Sequence, residues 1–179
     1  MAPRPPGRGL TDGIRLFPYV GPPTLAEAAR TQPPGTPART RADLSAWLGA
    51  RPPAEHDEPF TYTVGADGVL RLAPRRSEHV ACAGGEPVGA AGEIAFVRAA
   101  DGWMVDEADN LSTGYCPDPD CWTVLAAALD TIGVGRPDAF TRSVVFRRCP
   151  RCGERNVVRD GYFTCALCDA DLPSEWNFA

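Results

Sequence analysis

Cys149-Pro150-Arg151-Cys152-Gly153 and Cys165-Ala166-Leu167-Cys168 put two Cys-x-x-Cys pairs into one short stretch, with twelve residues between the pairs. Two residues between cysteines let one tight turn present both sulfurs to a single ion, and thiolates bind Zn²⁺ tetrahedrally. Gly153, directly after the first pair, supplies the open backbone such a turn needs. The interval must then carry the second pair back to the first. Asn156-Val157-Val158-Arg159 and Tyr162-Phe163-Thr164, flanking Asp160-Gly161, read as two short antiparallel strands joined by a two-residue turn. Cys149, Cys152, Cys165 and Cys168 are therefore the candidate metal ligands. Four protein ligands leave no position for water or substrate, so the expected role of one Zn²⁺ is structural. The four thiolates leave surplus negative charge, which Arg147, Arg148, Arg151, Arg155 and Arg159 are placed in sequence to offset.

This is the pattern of a zinc ribbon, and the stretch resembles those of uncharacterised bacterial zinc-ribbon proteins. Cys-Pro-x-Cys-Gly also resembles the iron-binding knuckle of rubredoxins, which makes iron the alternative ion. Rubredoxins separate their pairs more widely, and that favours zinc. A redox Cys-x-x-Cys comes singly, at the start of a helix after a strand. Here two pairs alternate with turn and strand signals.

The 179 residues suit one domain with an appendage. A hydrophobic content of 44% allows a core, while 18 Gly and 19 Pro limit its extent. All 18 basic residues are arginine, a compositional bias without a functional reading. Seven cysteines cannot all pair, and four already read as ligands, which favours a reducing cytoplasm over a secreted disulfide scaffold. No apolar run approaches the roughly 18 residues of a membrane span. The first seven residues lack the apolar core of a signal peptide, so the sequon Asn110-Leu111-Ser112 has no expected use. The net charge of −5 is uneven. Residues 61–140 hold five Arg against twelve acids, whereas 142–159 hold six Arg against one Glu. An acidic body with one basic strip is a poor footprint for phosphate neutralisation.

Outward from the ribbon (residues 141–179), the chain divides into an α+β body at 59–140 and a Pro-rich N-terminal segment at 1–58. In that segment Ile14 to Val20 is an apolar run able to pack. Thr24 with Glu27 opens one short helix, stopped by Gln32 to Pro37. Thr40 with Asp43 opens a second, with Leu44, Trp47 and Leu48 on one face. Trp47 reads as packing on the body, or as a partner's docking point. Arg51 to Pro59 reads as a linker, with His56 solvated among acids. Proline density and low apolar content make residues 1–55 separable from the body.

In the body, Phe60–Val64 and Val69–Leu72 flank a hairpin signal, Gly65-Ala66-Asp67-Gly68. Glu78–Cys82 reads as a third strand, Glu93–Arg98 as a fourth and Trp103–Glu107 as a fifth, forming an antiparallel meander. Asp118-Pro119 starts a helix in which Trp122, Leu125, Leu129 and Ile132 recur at helical spacing, and Gly133 ends it. Its apolar face should cover the small antiparallel sheet. Ser143–Phe146 would deliver the chain into the ribbon.

Gly92-Glu93 and the run Asn110, Ser112, Gly114, Tyr115, Pro117 resemble a short module of uncharacterised bacterial and toxin-like proteins, in which a strand leads through Asn-x-Ser-Thr-Gly-Tyr-x-Pro into a helix. The resemblance covers residues 78–133 and implies an architecture and a candidate ligand loop, Ser112, Thr113, Gly114 and Tyr115; the histidine of the commoner pattern is absent. Hydroxyls and backbone donors near a helix start suit an anion, although Asp118 and Asp120 place negative charge there. The alternative is a connection tied down by Asn110 and Tyr115. His79 and Cys82, with Cys116 and Cys121, hold the atoms for a second metal site or a Cys–His nucleophile. Buried small hydrophobes are the alternative for these cysteines. No phosphate loop, Gly-x-Gly-x-x-Gly or Gly-x-Ser-x-Gly occurs.

The expectation is thus an α+β protein with a structural zinc ribbon that acts by binding, its partner another protein. An enzyme or small-ligand binder with His79, Cys82 and Tyr115 as catalytic candidates is the first rival. A nucleic-acid binder using the basic strip with Tyr162 and Phe163 is the second. No membrane partner is expected.

Overall fold

A computed structural model describes residues 13–178. Helix α1 (Pro23–Arg30), strand β1 (Thr36–Ala38) and helix α2 (Arg41–Gly49) precede strands β2 (Phe60–Val64) and β3 (Leu70–Ala73). A one-turn helix α3 (His79–Cys82), strands β4 (Ala90–Ala99) and β5 (Gly102–Ala108), helix α4 (Trp122–Ile132) and the ribbon strands β6 (Val145–Arg148) and β7 (Arg155–Val158) complete the chain. The fold is α+β: a five-stranded antiparallel sheet in the order β1-β3-β2-β4-β5, four helices and a separate two-stranded ribbon ending in a cysteine cluster. Among the described residues, no helix is long and apolar enough to cross a membrane.

β2 is central, and all five of its residues are buried. Alternation puts Phe60, Tyr62 and Val64 on one face and Thr61 and Thr63 on the other. The first face meets the Trp47 ring of α2 at 4.9 Å, and the register partners of Tyr62 and Val64, Leu72 and Leu70, share it. α4 lies across β2, β3 and β4, with Leu125, Leu129 and Ile132 in the core as their spacing requires. Gly133, left-handed at φ 80°, ends the helix. On the second face the Thr63 hydroxyl donates to Cys82 Sγ of α3 at 3.5 Å.

The expected strand 78–82 is a helix. Val80 is the lone β-branched residue of Glu78–Ala83, and Ala81 and Ala83 are strong helix formers. Gly84 and Gly85, both at positive φ, act as a helix stop rather than as a hairpin turn. The fifth strand is instead β1, which begins in the stretch read only as a helix stop and ends one residue beyond it. Thr36, Pro37 and Ala38 pair with Leu72, Arg71 and Leu70 at the sheet edge, where Pro is tolerated.

The described part of the N-terminal segment is built into the same core. Phe17, Ala38, Leu44, Trp47 and Leu48 are buried in one cluster with Phe60, Ile94 and Leu125, so the division expected at residue 58 does not separate packing units. His56 is not solvated either; its ring stacks on Trp103 at 5.2 Å. The capping box of α2 forms as read, with the Thr40 hydroxyl accepting from the Asp43 amide. α1 instead begins at Pro23 without a side-chain cap from Thr24. Residues 1–12 lie outside the described part.

Candidate metal centre

Two copies of one turn build the centre. In the first, the Cys149 amide donates to Glu154 O at 2.8 Å and the Gly153 amide to Cys149 O at 2.9 Å. In the second, the Cys165 amide donates to Ala170 O at 2.8 Å and the Asp169 amide to Cys165 O at 3.0 Å. Gly153 (φ 79°) and Asp169 (φ 57°) take the same left-handed position after the second cysteine of each pair, which glycine adopts freely and Asp tolerates. β6 and β7 pair across the first turn, Val145 with Val158 through Arg148 with Arg155. The return strand expected at 162–164 is reduced to single bridges, Arg159 with Tyr162 and Thr164 with Asp171. The turn between them is Asp160-Gly161, positive in φ at both residues, as a two-residue hairpin turn requires.

Cys149 Sγ lies 3.6 Å from Cys168 Sγ, and Cys152 Sγ 3.6 Å from Cys165 Sγ; all four sulfurs fall within 4.8 Å of one another. A tetrahedral ion with bonds of about 2.3 Å to sulfur needs the sulfurs about 3.8 Å apart. The set is close enough to that geometry to hold such an ion. Backbone amides also point at the sulfurs, in the same offsets twice. Cys152 and Arg151 amides hold the Cys149 thiol below its ordinary value. Burial pushes Cys165 up, but the Leu167 and Cys168 amides and the Asn156 side chain bring it down to about 6. The Glu154 amide favours the Cys152 thiolate, yet burial and three neighbouring sulfurs push that thiol up to about 12. Four thiolates this close repel one another, and a bound cation would remove that penalty. Cys149 and Cys165 are buried, whereas Cys152 is exposed, so one edge of the cluster faces solvent.

The arginines expected to offset the thiolate charge are mostly committed elsewhere. Arg147 donates to Ser174 O, and its guanidinium lies 3.6 Å from Asp118. Arg155 donates to Thr113 O at 2.8 Å and Val20 O at 3.3 Å, and Arg148 lies over the Phe178 ring. Amide dipoles are the nearer source of compensation. Asn156, absent from the sequence reading as a site residue, ties the two turns together. Buried, it donates to Glu154 O (3.0 Å) and Cys165 Sγ (3.5 Å), and its Oδ1 accepts from the Ala166 amide at 2.9 Å. An Asn three residues after the first turn's glycine was the available signal.

The other candidate residues do not converge. Among the described residues, the four ribbon cysteines are the group of three or more such side chains close enough to share an ion, and His79, Cys82, Cys116 and Cys121 are outside it. His79 Nε2 donates to Gly92 O at 3.0 Å, and burial pulls its pKa below the ordinary value. Burial raises the Cys82 thiol to about 11, Cys116 to about 12 and Cys121 further, so all three stay protonated and poor as nucleophiles. Most of the loop 110–117 is interior, with Asn110, Ser112, Tyr115 and Cys116 all at most 1% exposed, whereas Thr113 is exposed. Tyr115 donates to Glu86 O at 2.7 Å, and the Ser112 hydroxyl has no partner among the described residues. Gly114 is required because a Cβ there would lie 2.6 Å from the Tyr19 ring, and Gly92 because one would meet Asp109 O at 2.1 Å.

The loop is thus a junction. Asn110 Nδ2 donates to Pro117 O (3.0 Å) and Val144 O (2.7 Å), while its Oδ1 accepts from the Val144 amide at 2.7 Å. Trp176 Nε1 donates to Cys116 O at 2.7 Å, and its ring meets Phe17 edge-on at 5.3 Å. Asp118 does not cap the following helix but pairs with Arg15 and Arg147. Fold and site together define an α+β protein with a ribbon, docked on its body, whose four cysteines lie close enough to hold one metal ion. Set against family models, curated proteins and solved structures, the chain matches none of them.

Proposed function

We propose that the protein is a zinc-dependent interaction module, in which one Zn²⁺ held by Cys149, Cys152, Cys165 and Cys168 folds the ribbon and the ribbon's outer face binds another protein. All-sulfur coordination favours zinc among common divalent ions, and a closed set of four ligands favours structure over catalysis. The observation that carries the reading is the face beyond the metal. Tyr162 is 76% exposed and Leu167 69%, and with Val157 they line a shallow concavity edged by Arg155 and Arg159. Exposed apolar side chains grouped beside arginine mark a protein-binding surface. Arginine at its edge favours a partner segment that sets acidic residues beside an apolar anchor. A nucleic-acid partner is disfavoured because Glu154 and Asp160 share that edge and the chain carries net −5.

Elemental analysis of protein prepared without added metal should give one zinc per chain, and X-ray absorption should give four sulfur neighbours. Tyr162→Ala with Leu167→Ala should keep metal and melting temperature while losing the protein partner recovered with wild type. An apo protein with four free thiols would refute the metal reading. Partner capture indifferent to these two residues, or strong salt-sensitive retention on nucleic acid, would refute the interaction face.

A further inference from the structure

A cleft of about 600 Å³ lies between α4, the β1–β3 edge of the sheet and the segment at 13–17. Its floor and walls are apolar: Phe17, Ala38, Leu70, Val124, Ala127 and Ala128. Phe17 and Leu70 belong to the core, so the cleft reaches the sheet itself. Its space comes from side-chain size. α4 puts Leu125 and Leu129 against the sheet, but on its neighbouring stripe it presents Val124, Ala127, Ala128 and Thr131 at helical spacing. Small residues on that stripe leave the space beside Leu70 and Ala38 unfilled. Its size lies within the range of small-molecule sites, roughly 300–1,000 Å³.

The mouth carries four charged side chains, and three of them are matched. Arg15 bonds Asp120 at 2.9 Å and also approaches Asp118, which Arg147 reaches from its other side. Asp67 is held by Arg71 through two bonds, of 3.0 and 2.7 Å. Arg39 has no ion pair among the described residues. The Asp43 carboxylate feels its charge but makes no ion pair with it, accepting amide hydrogen bonds in the capping box of α2 instead. An apolar cleft with one guanidinium at its rim that makes no ion pair among the described residues is complementary to an amphiphile with one negative end.

We propose that this cleft binds an apolar carboxylate, an acyl or aryl chain whose body lies along Val124, Ala127 and Ala128 and whose carboxylate meets Arg39. The site is independent of the metal centre and of the ribbon face, so either function can fail without the other.

The test uses the full metal-loaded chain and dodecanoate below its micelle concentration, followed by titration calorimetry, with dodecylammonium as the charge-reversed control. One saturable dodecanoate site per chain is expected, with dodecylammonium binding much more weakly. Ala127→Trp, which fills the cleft, should abolish binding, and Thr131→Phe at the exposed mouth provides a second block should Ala127→Trp not fold. Arg39→Gln should weaken dodecanoate about five-fold, as a solvent-exposed charge pair allows, and erase most of the preference over dodecylammonium. Absence of saturable binding would overturn the proposal. So would binding that survives a folded blocking variant, binding indifferent to head-group charge, or binding seen only after deletion of residues 1–12.

Discussion

Asn110→Ala removes three hydrogen bonds at once: two donated by Nδ2, to Pro117 O and Val144 O, and one accepted by Oδ1 from the Val144 amide. Asn110 is fully buried, and the three groups left behind lie at the junction of body and ribbon. A hydrogen bond contributes about 1 kcal/mol net, and a buried group left unpaired costs about 1–3 kcal/mol. The expected loss is therefore about 3–5 kcal/mol, or on the order of 10 °C in melting temperature for a chain of this size. Urea denaturation followed by tryptophan fluorescence measures it. Asn110→Asp should cost a similar amount despite its equal volume, because it turns an acceptor toward two carbonyls. Ser112→Ala is the control two residues away. Its hydroxyl has no partner, so removing it should leave stability unchanged or slightly higher. Metal content should match that of the wild type in all three variants, since the four cysteines and their amides are local to the ribbon. A loss below about 1 kcal/mol for Asn110→Ala, or a marked loss for Ser112→Ala, would refute the junction reading and return the loop to the class of candidate ligand sites.

Phe17→Ala should destabilise the whole body by about 3–5 kcal/mol, as truncation of a fully buried ring does; a loss confined to faster proteolysis of the first 55 residues would restore the separable segment. His79 gives a pH dependence with a definite sign. Burial lowers its folded pKa, so below its unfolded value of about 6.5 the unfolded chain binds the extra proton and stability falls as pH falls. His79→Gln should flatten that fall, measured as the wild-type-minus-variant difference in urea midpoint at pH 7.5 and pH 5.5, which cancels the acid sensitivity of the thiolates. A difference independent of pH would mean that His79 titrates alike in both states.

The cysteine set was legible because its geometry is local. Spacing within each pair fixes one turn, and Asp160-Gly161 fixes the return, so no distant contact is needed to bring four sulfurs together. α4 was legible for the same reason, through Leu125, Leu129, Ile132 and the Gly133 stop. Glu78–Cys82 was misread because five residues cannot separate a period of 2 from one of 3.6. β1 was missed because a three-residue edge strand containing Pro37 has no pattern of its own; it exists because β3 offers an unpaired edge. The role of the 110–117 loop was out of reach for a stronger reason. Its hydroxyls and glycine look like a ligand cradle until Tyr19, Arg155 and Trp176, between 42 and 96 positions away, close over it, and no short-range pattern encodes that.

That closure also bears on how the interaction face would work. A ribbon on a flexible linker would sample many orientations and lose them on binding, at a cost in ordering entropy. This ribbon is held by Asn110 on Val144, Arg155 on Thr113 and Val20, Arg147 on Asp118 and Ser174, and Trp176 on Cys116. Phe146, Val144, Phe178 and Cys116 form a small apolar cluster beneath those contacts. Tyr162 and Leu167 are therefore presented at a fixed angle to the body, and a partner of the proposed face would meet a preorganised surface. Metal loss would release that surface in steps, first the turns that carry Leu167, then the β6–β7 pair, while the sheet, anchored by its own core, stands. Chelation should accordingly abolish partner binding before it lowers the cooperative unfolding of the body. Simultaneous loss of both would show that the junction transmits ribbon stability into the sheet.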